Sequence, residues 1–302
     1  MREVAFVEGH TALEVFNRHR VLLFSVAYRM LGSQVDAEDI LQETFLRWQQ
    51  ASSREIRDPR AFLVTVTTRL CINHLRSARA RREQYFGQWL PEPLLTGTET
   101  GHSTLPRIDG SLSLAFLMLL ERLTATERAV FLLREVFDYE YAEIATMLGQ
   151  SQVNCRQIMR RARQHVTEDR PRFKAPREDQ ERLLQRFLEA TANGDMRGLL
   201  TLLADDVVLY ADGGGKATAV PKPVLGADRV ARFLLGARGK LMPTDVVRRV
   251  AEINGEPGVI VYHAGRTFGV LTMDVLDGRV CHIYIVRNPD KLERIPDLVT
   301  IH

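Results

Sequence analysis

Arginine and amide side chains are concentrated between residues 141 and 163, in the sequence YAEIATMLGQSQVNCRQIMRRAR. The second half of this segment carries arginines and no acidic residue: Arg156, Arg160, Arg161 and Arg163. Guanidinium groups pair with phosphates, whereas the amides of Gln152, Asn154 and Gln157 can hydrogen-bond to the edges of bases. These residue types therefore fit contact with a nucleic acid, with phosphates bound by the arginines and bases read by the amides.

Two short helices are predicted to position these side chains. Ile144, Ala145 and Leu148 have the spacing of a buried stripe on a helix over 141–148, and Gly149 suits the left-handed residue that ends it. Ser151 is placed to cap the second helix. The pair has the pattern of a helix-turn-helix, whose second helix enters the major groove. An ordinary helical hairpin with a solvated basic face has the same pattern, and this segment alone does not separate the two.

A second basic run lies upstream, on another predicted helix. Its side chains occupy a stretch without an acidic residue: Arg69, Asn73, Arg76, Arg79, Arg81 and Arg82. The first three share one helix face, and the charge then continues on neighbouring positions. Such a ladder can follow a phosphate backbone, and a solvated basic face is the alternative.

An acidic helix precedes this basic run, and Asp36 is predicted to cap it. Its inward stripe contains Ile40, Leu41 and Trp48, which leaves an acidic and amidic surface with one apolar residue facing outward. That surface consists of Glu38, Asp39, Gln42, Glu43 and Leu46. This surface would complement a basic coiled coil on a protein partner. The alternative is a charged helix face that contacts only solvent, which is the more common role of such a stripe.

Length and composition limit the class of protein. The chain has 302 residues and a formal net charge of +3, which suggests two or three domains rather than one core. It contains no apolar run of the length that a bilayer requires, and its first residues lack the apolar stretch of a signal peptide. Cys71, Cys155 and Cys281 are isolated, so reduced thiols in the cytoplasm are expected, with no metal site and no cofactor.

The pattern changes after Pro176, where helices are followed by strand-like runs rich in Val, Ile and Tyr. Asp277-Gly278 predicts a hairpin between the last two strands. An α+β domain with helices packed on a curved antiparallel sheet is therefore expected. An enzymatic domain would need an acid or base, and the candidates are Asp212, His263, Asp274 and His282. The DGGGK sequence at 212–216 instead indicates a flexible polar loop whose glycines permit close backbone approach.

Several motifs together resemble the extracytoplasmic-function family of bacterial RNA polymerase sigma factors. DAEDILQETFLRW at 36–48 is similar to the segment that docks on the polymerase clamp helices. AFLVTVTTRLCINHLRSARARRE at 61–83 resembles the −10 recognition region, and the helix-turn-helix resembles the −35 reader. WLPEPL at 89–94, DGGGK at 212–216 and NPDKL at 288–292 resemble the SigJ-like group, which carries a C-terminal SnoaL-like domain of the nuclear-transport-factor-2-like fold.

The resemblance implies a domain order: a region 2 domain over 1–86, a linker over 87–110, a region 4 domain over 111–170 and the SnoaL-like domain over 171–302. Both sigma domains are expected to be all-α. The implied partners are promoter DNA and core polymerase, through the clamp helices of β′ and the flap of β, with no membrane. The loop at 51–60 would then capture a base of the opened −10 element.

The resemblance also implies that the C-terminal domain modulates a cytoplasmic, non-enzymatic transcription factor. The expected interdomain regulatory residues are Trp89, Leu90, Pro91, Asp212, Gly213, Gly214, Gly215, Lys216, Asn288, Pro289 and Asp290. Any small-molecule or protein regulator of this domain is left unidentified by the residues. The alternative is a DNA-binding regulator fused to a SnoaL-like ligand sensor or to an isomerase- or cyclase-type enzyme. Such a regulator would not need the acidic helix or the separate basic helix, and these two features favour the sigma factor.

Overall fold

The computed structural model describes residues 11–51, 56–82, 85–97, 112–167, 175–240 and 242–298. These residues divide into two compact units. The first contains 11–51, 56–82 and 119–167, and the second contains 85–97, 112–118, 175–240 and 242–298. None of the described helices is long and apolar enough to cross a membrane.

Three helices form the first part of the first unit: α1 over Ala12–Leu31, α2 over Gln34–Ala51 and α3 over Pro59–Arg82. A capping box of Thr11 and Glu14 starts α1, and Gly32 ends it in the left-handed region with φ of 68°. Fully buried Trp48 packs among these helices and donates a hydrogen bond from Nε1 to the Ala12 carbonyl at 2.9 Å.

The predicted cap of α2 is wrong. Asp36 lies inside the first turn, and its backbone N–H donates to the Ser33 hydroxyl at 3.2 Å. Ser33 directly follows left-handed Gly32 and directly precedes the first helical residue, so Ser33 rather than Asp36 has the capping position.

The helix-turn-helix prediction is confirmed in the second part of this unit. Here α4 spans Leu114–Leu120, at the boundary of the two units, and is followed by α5 over Ala125–Glu135, α6 over Tyr141–Leu148 and α7 over Gln152–Thr167. Gly149 ends α6 with φ of 64°, and the Ser151 hydroxyl accepts a hydrogen bond from the Asn154 N–H at 3.1 Å. A capping box of Thr124 and Glu127 starts α5.

The second unit has the predicted α+β architecture. Its helices are α8 over Arg177–Asn193, α9 over Met196–Leu202 and α10 over Ala227–Lys240. Its strands are β1 over Leu203–Asp212, β2 over Val224–Leu225, β3 over Val247–Ile253, β4 over Glu256–His263, β5 over Arg266–Leu276 and β6 over Arg279–Val286. Phe187, Leu199, Val230 and Ile283 contribute to the buried core of this unit.

The sheet is mixed, which corrects the expectation of a purely antiparallel one. Its order is β2-β1-β6-β5-β4-β3, and β1 runs parallel to β6 while the other neighbours are antiparallel. A long connection that includes α10 and four strands separates β1 from β6, so no tight turn forces these two strands to be antiparallel.

Two-residue turns with positive φ join β3 to β4 and β5 to β6. The predicted hairpin at Asp277-Gly278 is confirmed, with φ values of 50° and 73°. Asn254-Gly255, with φ of 54° and 77°, makes a second turn of this kind between β3 and β4. Asn-Gly is the residue pair that such turns favour, so this turn was also readable from the sequence.

Candidate functional sites

The exposed face of α7 presents the residues expected to contact DNA. Gln152, Arg156, Gln157 and Arg160 are all exposed, on the side opposite buried Cys155, Ile158, Met159 and Ala162. The Arg156 guanidinium also lies 5.4 Å from the centroid of the Tyr141 ring, which holds it beside the start of α6. Two arginines and two amides therefore point outward from one helix that directly follows a tight turn.

The other three predicted residues of α7 contact groups of this unit. Asn154 is half-buried, and its Nδ2 donates to the Gln150 side chain at 2.7 Å. Arg163 forms an ion pair with Glu135 at 2.6 Å, and this hydrogen bond raises the pKa of Arg163. Arg161 lies 3.9 Å from Glu127. These side chains are less available to DNA than Arg156 and Arg160.

Val153 is a residue of this face that the sequence analysis missed. Its side chain is 62% exposed between Gln152 and Asn154 at the start of α7. A solvent-exposed apolar side chain in this position can contact the methyl group of thymine in a major groove. A valine among the polar residues of this helix could have been noticed in the sequence, because valine side chains are usually buried.

The basic face of α3 contacts the helix-turn-helix within the first unit. Arg69 Nε donates to the Met147 carbonyl at 2.7 Å, and Arg76 Nη2 lies 3.5 Å from the Thr126 hydroxyl. Met147 lies in the last turn of α6, where free carbonyls favour a cation. Arg128 on α5 makes a further contact, from Nη1 to the Met30 carbonyl of α1 at 2.7 Å.

Asn73, the third residue of this face, is exposed. The side chains of Arg79, Arg81 and Arg82 lie outside the described residues, as does part of the loop at 51–60. The structure therefore places Arg69 against α6 and Arg76 against α5. Beyond Ser77, only the helical backbone of α3 is described.

The outward surface of α2 is available in part. Asp39 and Gln42 are exposed, and Leu46 is an exposed large apolar side chain at 52%. Glu38 pairs with Arg20 at 2.6 Å and Glu43 with Arg47 at 2.8 Å. The free part of the predicted surface is thus one stripe of carboxylate, amide and leucine at helical spacing.

The Asp212 carboxylate joins the linker to the C-terminal domain inside the second unit. Asp212 is the last residue of β1 and is fully buried, so it is not part of the flexible loop that the sequence suggested. Its Oδ1 accepts from the Tyr85 hydroxyl at 2.6 Å, and its Oδ2 accepts from the Leu90 N–H at 2.9 Å and from Lys291 Nζ at 2.7 Å. We call Tyr85, Leu90, Asp212 and Lys291 the Asp212 clasp.

Tyr85 and Lys291 are the two clasp residues that were not predicted from the sequence, although Lys291 belongs to the NPDKL motif. The Lys291 ammonium also donates to the Leu90 carbonyl and lies 4.3 Å from the centroid of the Trp89 ring. Burial raises the pKa of Tyr85, and the hydrogen bond to Asp212 adds to this shift. Tyr85 is therefore held as a neutral phenol that donates its proton to the carboxylate.

The glycines after Asp212 give room to neighbouring groups. Gly214 has φ of 60°, donates its N–H to Asp212 Oδ1 at 2.9 Å and has no space for a Cβ, which would lie 2.3 Å from the Asn288 side chain. A Cβ on Gly213 would lie 2.1 Å from the Ala217 carbonyl. Gly215 has φ of 71°. Lys216 then pairs with Asp290 at 2.7 Å, so the DGGGK and NPDKL segments are held together.

A second attachment of the linker uses Asn254, at the turn between β3 and β4. Its side-chain oxygen accepts from the Leu94 N–H at 3.0 Å, and its own N–H donates to the Leu94 carbonyl at 2.7 Å. Leu95 forms an isolated bridge with Ile253. The segment 85–97 is thus fastened at both ends, and Pro91 between them is buried.

The four candidate acids and bases do not assemble into a catalytic group. Asp212 is occupied by the clasp, and His263, the last residue of β4, pairs with Asp245 at 3.1 Å. Asp274 and His282 lie 3.5 Å apart, and with Cys281 they form the one three-residue group with metal-ligand atoms among the described residues. Burial raises the pKa of the Cys281 thiol to about 12, which works against the thiolate that binds metals.

Cys155 lies inside α7 and is fully buried. Burial raises the pKa of its thiol, so the residue is suited to packing rather than to redox chemistry.

The first unit combines a helical bundle with a helix-turn-helix, and an α+β domain with a docked linker follows. This combination defines a class of DNA-binding transcription proteins with an attached third domain. Residues 15–81 match the model of Sigma-70 region 2, and residues 113–166 match the model of Sigma-70, region 4. The chain is 37% identical over 292 residues to the ECF RNA polymerase sigma factor SigJ of Mycobacterium tuberculosis, covering 93% of each chain. It is 34% identical over 282 residues to the probable ECF RNA polymerase sigma factor SigI of the same organism, covering 91% of this chain and 92% of that one.

The fold agrees with a solved relative along nearly its whole length. The crystal structure of the M. tuberculosis extracytoplasmic function sigma factor SigJ matches with a TM-score of 0.76 and 35% identity, covering 92% of this chain and 97% of that one. The chain belongs to the extracytoplasmic-function family of RNA polymerase sigma factors. As a sigma factor it binds core polymerase and promoter DNA, supports promoter-directed initiation and is not an enzyme.

Proposed function

We propose that three surfaces of the first unit divide the work of a sigma factor. The α7 face reads the −35 element, with Arg156 and Arg160 on phosphates and with Gln152, Val153 and Gln157 on bases. The observation that carries this assignment is the exposure of these side chains on a helix that follows the Gly149 turn. We assign −10 recognition to α3 and core docking to α2, and we place this activity in the cytoplasm with the polymerase.

We also propose the domain boundaries that the motifs suggested, with region 2 over 1–86, a linker over 87–110, region 4 over 111–170 and the regulatory domain over 171–302. Within this scheme α3 must release α6 before it can bind DNA, because Arg69 is occupied by the Met147 carbonyl. A promoter would then compete with an internal contact for the same arginine, and separation of α3 from α6 would be part of promoter binding.

Core docking is tested by reversing the charge of the free stripe on α2. Asp39→Lys combined with Leu46→Ala should lower co-purification with core polymerase at least tenfold, because a lysine repels the basic partner and an apolar side chain is removed. Gln50→Lys, exposed at the end of the same helix, is the matched control. Core binding that equals the wild type in the double variant, with an unchanged circular dichroism spectrum, would exclude this surface.

Regulation by the C-terminal domain is tested at the Asp212 clasp. Asp212→Ala leaves the Tyr85 hydroxyl, the Leu90 N–H and the Lys291 ammonium without their common acceptor. The linker should therefore detach from the domain at Tyr85 and Leu90, while Leu94 stays bound to Asn254. We expect promoter-directed transcription with purified core to change at least twofold while core binding persists. Asp228→Ala removes only an exposed pair with Arg232 on α10 of the same domain and should behave as the wild type. Equal transcription from all three proteins would show that the clasp has no regulatory role.

A further inference from the structure

An apolar cavity of about 120 Å³ lies in the second unit, between helices α8 and α10 and one face of the sheet. Phe187, Phe233, Val259 and Ile285 are among the side chains that form its walls. An apolar cavity of about 150 Å³ in another protein stays dry and binds benzene, so this one matches a compact group of similar size. It is too small for a nucleotide or a steroid.

The cavity wall also carries positive charge. Among the described residues that line it, Arg248 and Arg287 are charged, and no acidic side chain is present. Arg248 is exposed on β3, whereas Arg287 is half-buried just after β6. An apolar cavity whose charged groups are both cations is complementary to a ligand with one acidic group and an apolar body.

Arg287 lacks a counter-ion in the described part of the chain. Its Nη1 donates to the Thr218 carbonyl at 3.1 Å, and its guanidinium lies 4.0 Å from the centroid of the Phe268 ring. Its Nε is removed from solvent and has no hydrogen-bond acceptor. Burial lowers the pKa of Arg287, as expected for a cation that has lost water without gaining an anion. A carboxylate would supply both the charge and the acceptor that this group lacks.

We propose that this cavity is a binding site for a small organic monocarboxylate with a compact apolar body, held by a hydrogen-bonded ion pair with Arg287. A neutral apolar molecule would fill the cavity but would leave the Arg287 Nε–H without a hydrogen-bond acceptor. A free phosphate would pair with the cation, but it would lose its hydration inside walls that offer few hydrogen-bond donors in return. The carboxylate with a ring or short branched chain satisfies both parts of the site.

The position of Arg287 connects this site to the Asp212 clasp. The backbone N–H groups of Arg287 and Asn288 both donate to the Asp212 carbonyl, at 2.7 and 3.0 Å. The next residues of the same segment carry Lys291, which binds the Asp212 carboxylate. A ligand on the Arg287 side chain therefore acts on the segment that holds the linker, and by reciprocity the state of the clasp alters the affinity for the ligand.

The experiment measures binding of benzoate, phenylacetate and hexanoate to the full-length chain by isothermal titration calorimetry, with benzyl alcohol as the neutral probe. We expect at least one carboxylate to bind, and to bind roughly tenfold or more tightly than benzyl alcohol. Arg287→Met should weaken that binding roughly tenfold or more. Arg294→Met, at an exposed arginine of the same domain, should leave it unchanged.

A second variant separates loss of the site from loss of the fold. Ala237→Leu adds volume to the α10 wall of the cavity and leaves both arginines in place, so it should abolish binding of every probe. Circular dichroism and thermal unfolding verify that each variant is folded. The proposal is overturned if none of the three carboxylates binds, if benzyl alcohol binds as tightly as they do, or if folded Arg287→Met or Ala237→Leu protein binds like the wild type.

Discussion

At the scale of single residues, the Asp212 carboxylate explains why the three motifs of this chain have the residues they have. A carboxylate offers about four acceptor positions, and here Tyr85, Leu90, Gly214 and Lys291 use them. Gly214 provides the space for Asn288, whose Nδ2 donates to the Tyr85 hydroxyl at 2.9 Å. Residues of all three motifs thus meet in one hydrogen-bond network around the Asp212 carboxylate.

The raised pKa of Tyr85 predicts a loss of stability at alkaline pH. Because the folded chain holds this phenol protonated, its contribution is complete below the unfolded pKa of about 10 and is lost as the pH rises above it. The free energy of unfolding of the wild type should therefore fall relative to Tyr85→Phe between pH 9 and 11. One proton limits the slope to about 1.4 kcal/mol per pH unit, and the partial exposure of Tyr85 makes the effect smaller.

The measurement is urea unfolding of both proteins across this pH range. Parallel pH profiles for the wild type and Tyr85→Phe would contradict a phenol held neutral by the clasp.

The motif residues of the clasp were predicted to act together, but their contacts were not. Tyr85 lies outside all three motifs, and Lys291 lies inside one without any feature that distinguishes it from Lys216. The fold places Lys291 against a buried carboxylate and Lys216 against an exposed one. Burial depends on segments far apart in the chain, so the difference between the two lysines could not be read locally.

At the scale of elements, α7 shows how one helix can carry arginines of different availability. Arg163 is paired with Glu135 on α5, whereas the described contact of Arg156 is with an aromatic ring, and Arg160 has no ion pair in the described part of the unit. The sequence treats these arginines alike, since the acid that distinguishes them comes from a different helix.

This difference predicts unequal effects on binding to −35 DNA. Replacing Arg156 and Arg160 by alanine should weaken binding and reduce the slope of log affinity against log salt by about 0.9 for each phosphate that is no longer neutralised. Arg163→Ala is the matched control on the same helix, and it should change the slope less because its charge is already paired. Fluorescence anisotropy over a salt series measures all three proteins.

Equal slopes for the wild type and the Arg156 and Arg160 double variant would show that α7 does not bind the phosphates. A larger change of slope for Arg163→Ala than for the double variant would assign the phosphate contact to Arg163 instead.

At the scale of the whole molecule, each unit has its own buried core and its own tryptophan. The chain has two tryptophans, of which Trp48 lies in the first unit and Trp89 in the second. Trp48 is fully buried, and Trp89 lies against the Lys291 ammonium of the clasp. Each unit can therefore be followed separately by fluorescence in a chain that retains one tryptophan.

Asp212→Ala should shift the thermal transition of only one tryptophan. Removal of one partner of a buried ion pair costs about 3 kcal/mol, which lowers an unfolding midpoint by roughly 6 °C or more in a unit of this size. We expect that shift for Trp89 in a Trp48→Phe background and no shift for Trp48 in a Trp89→Phe background. Equal shifts in the two backgrounds would show that the units unfold as one.

Local sequence patterns were sufficient to predict many of the secondary-structure elements and the class of protein. The buried stripe of α6, its end at Gly149 and the Asp277-Gly278 turn each depend on residues within four positions of one another, so propensity and spacing suffice to predict them. The motifs then identified the family through their order along the chain.

Whether each of these residues is exposed, paired or buried depends on tertiary packing. It set β1 parallel to β6, placed Arg69 on the end of α6, joined Tyr85 to Asp212 and left Arg287 beside an apolar cavity. Each of these outcomes joins segments that are distant in sequence. Their contacts depend on how the whole chain packs and closes its loops, and no local preference of the residues specifies that.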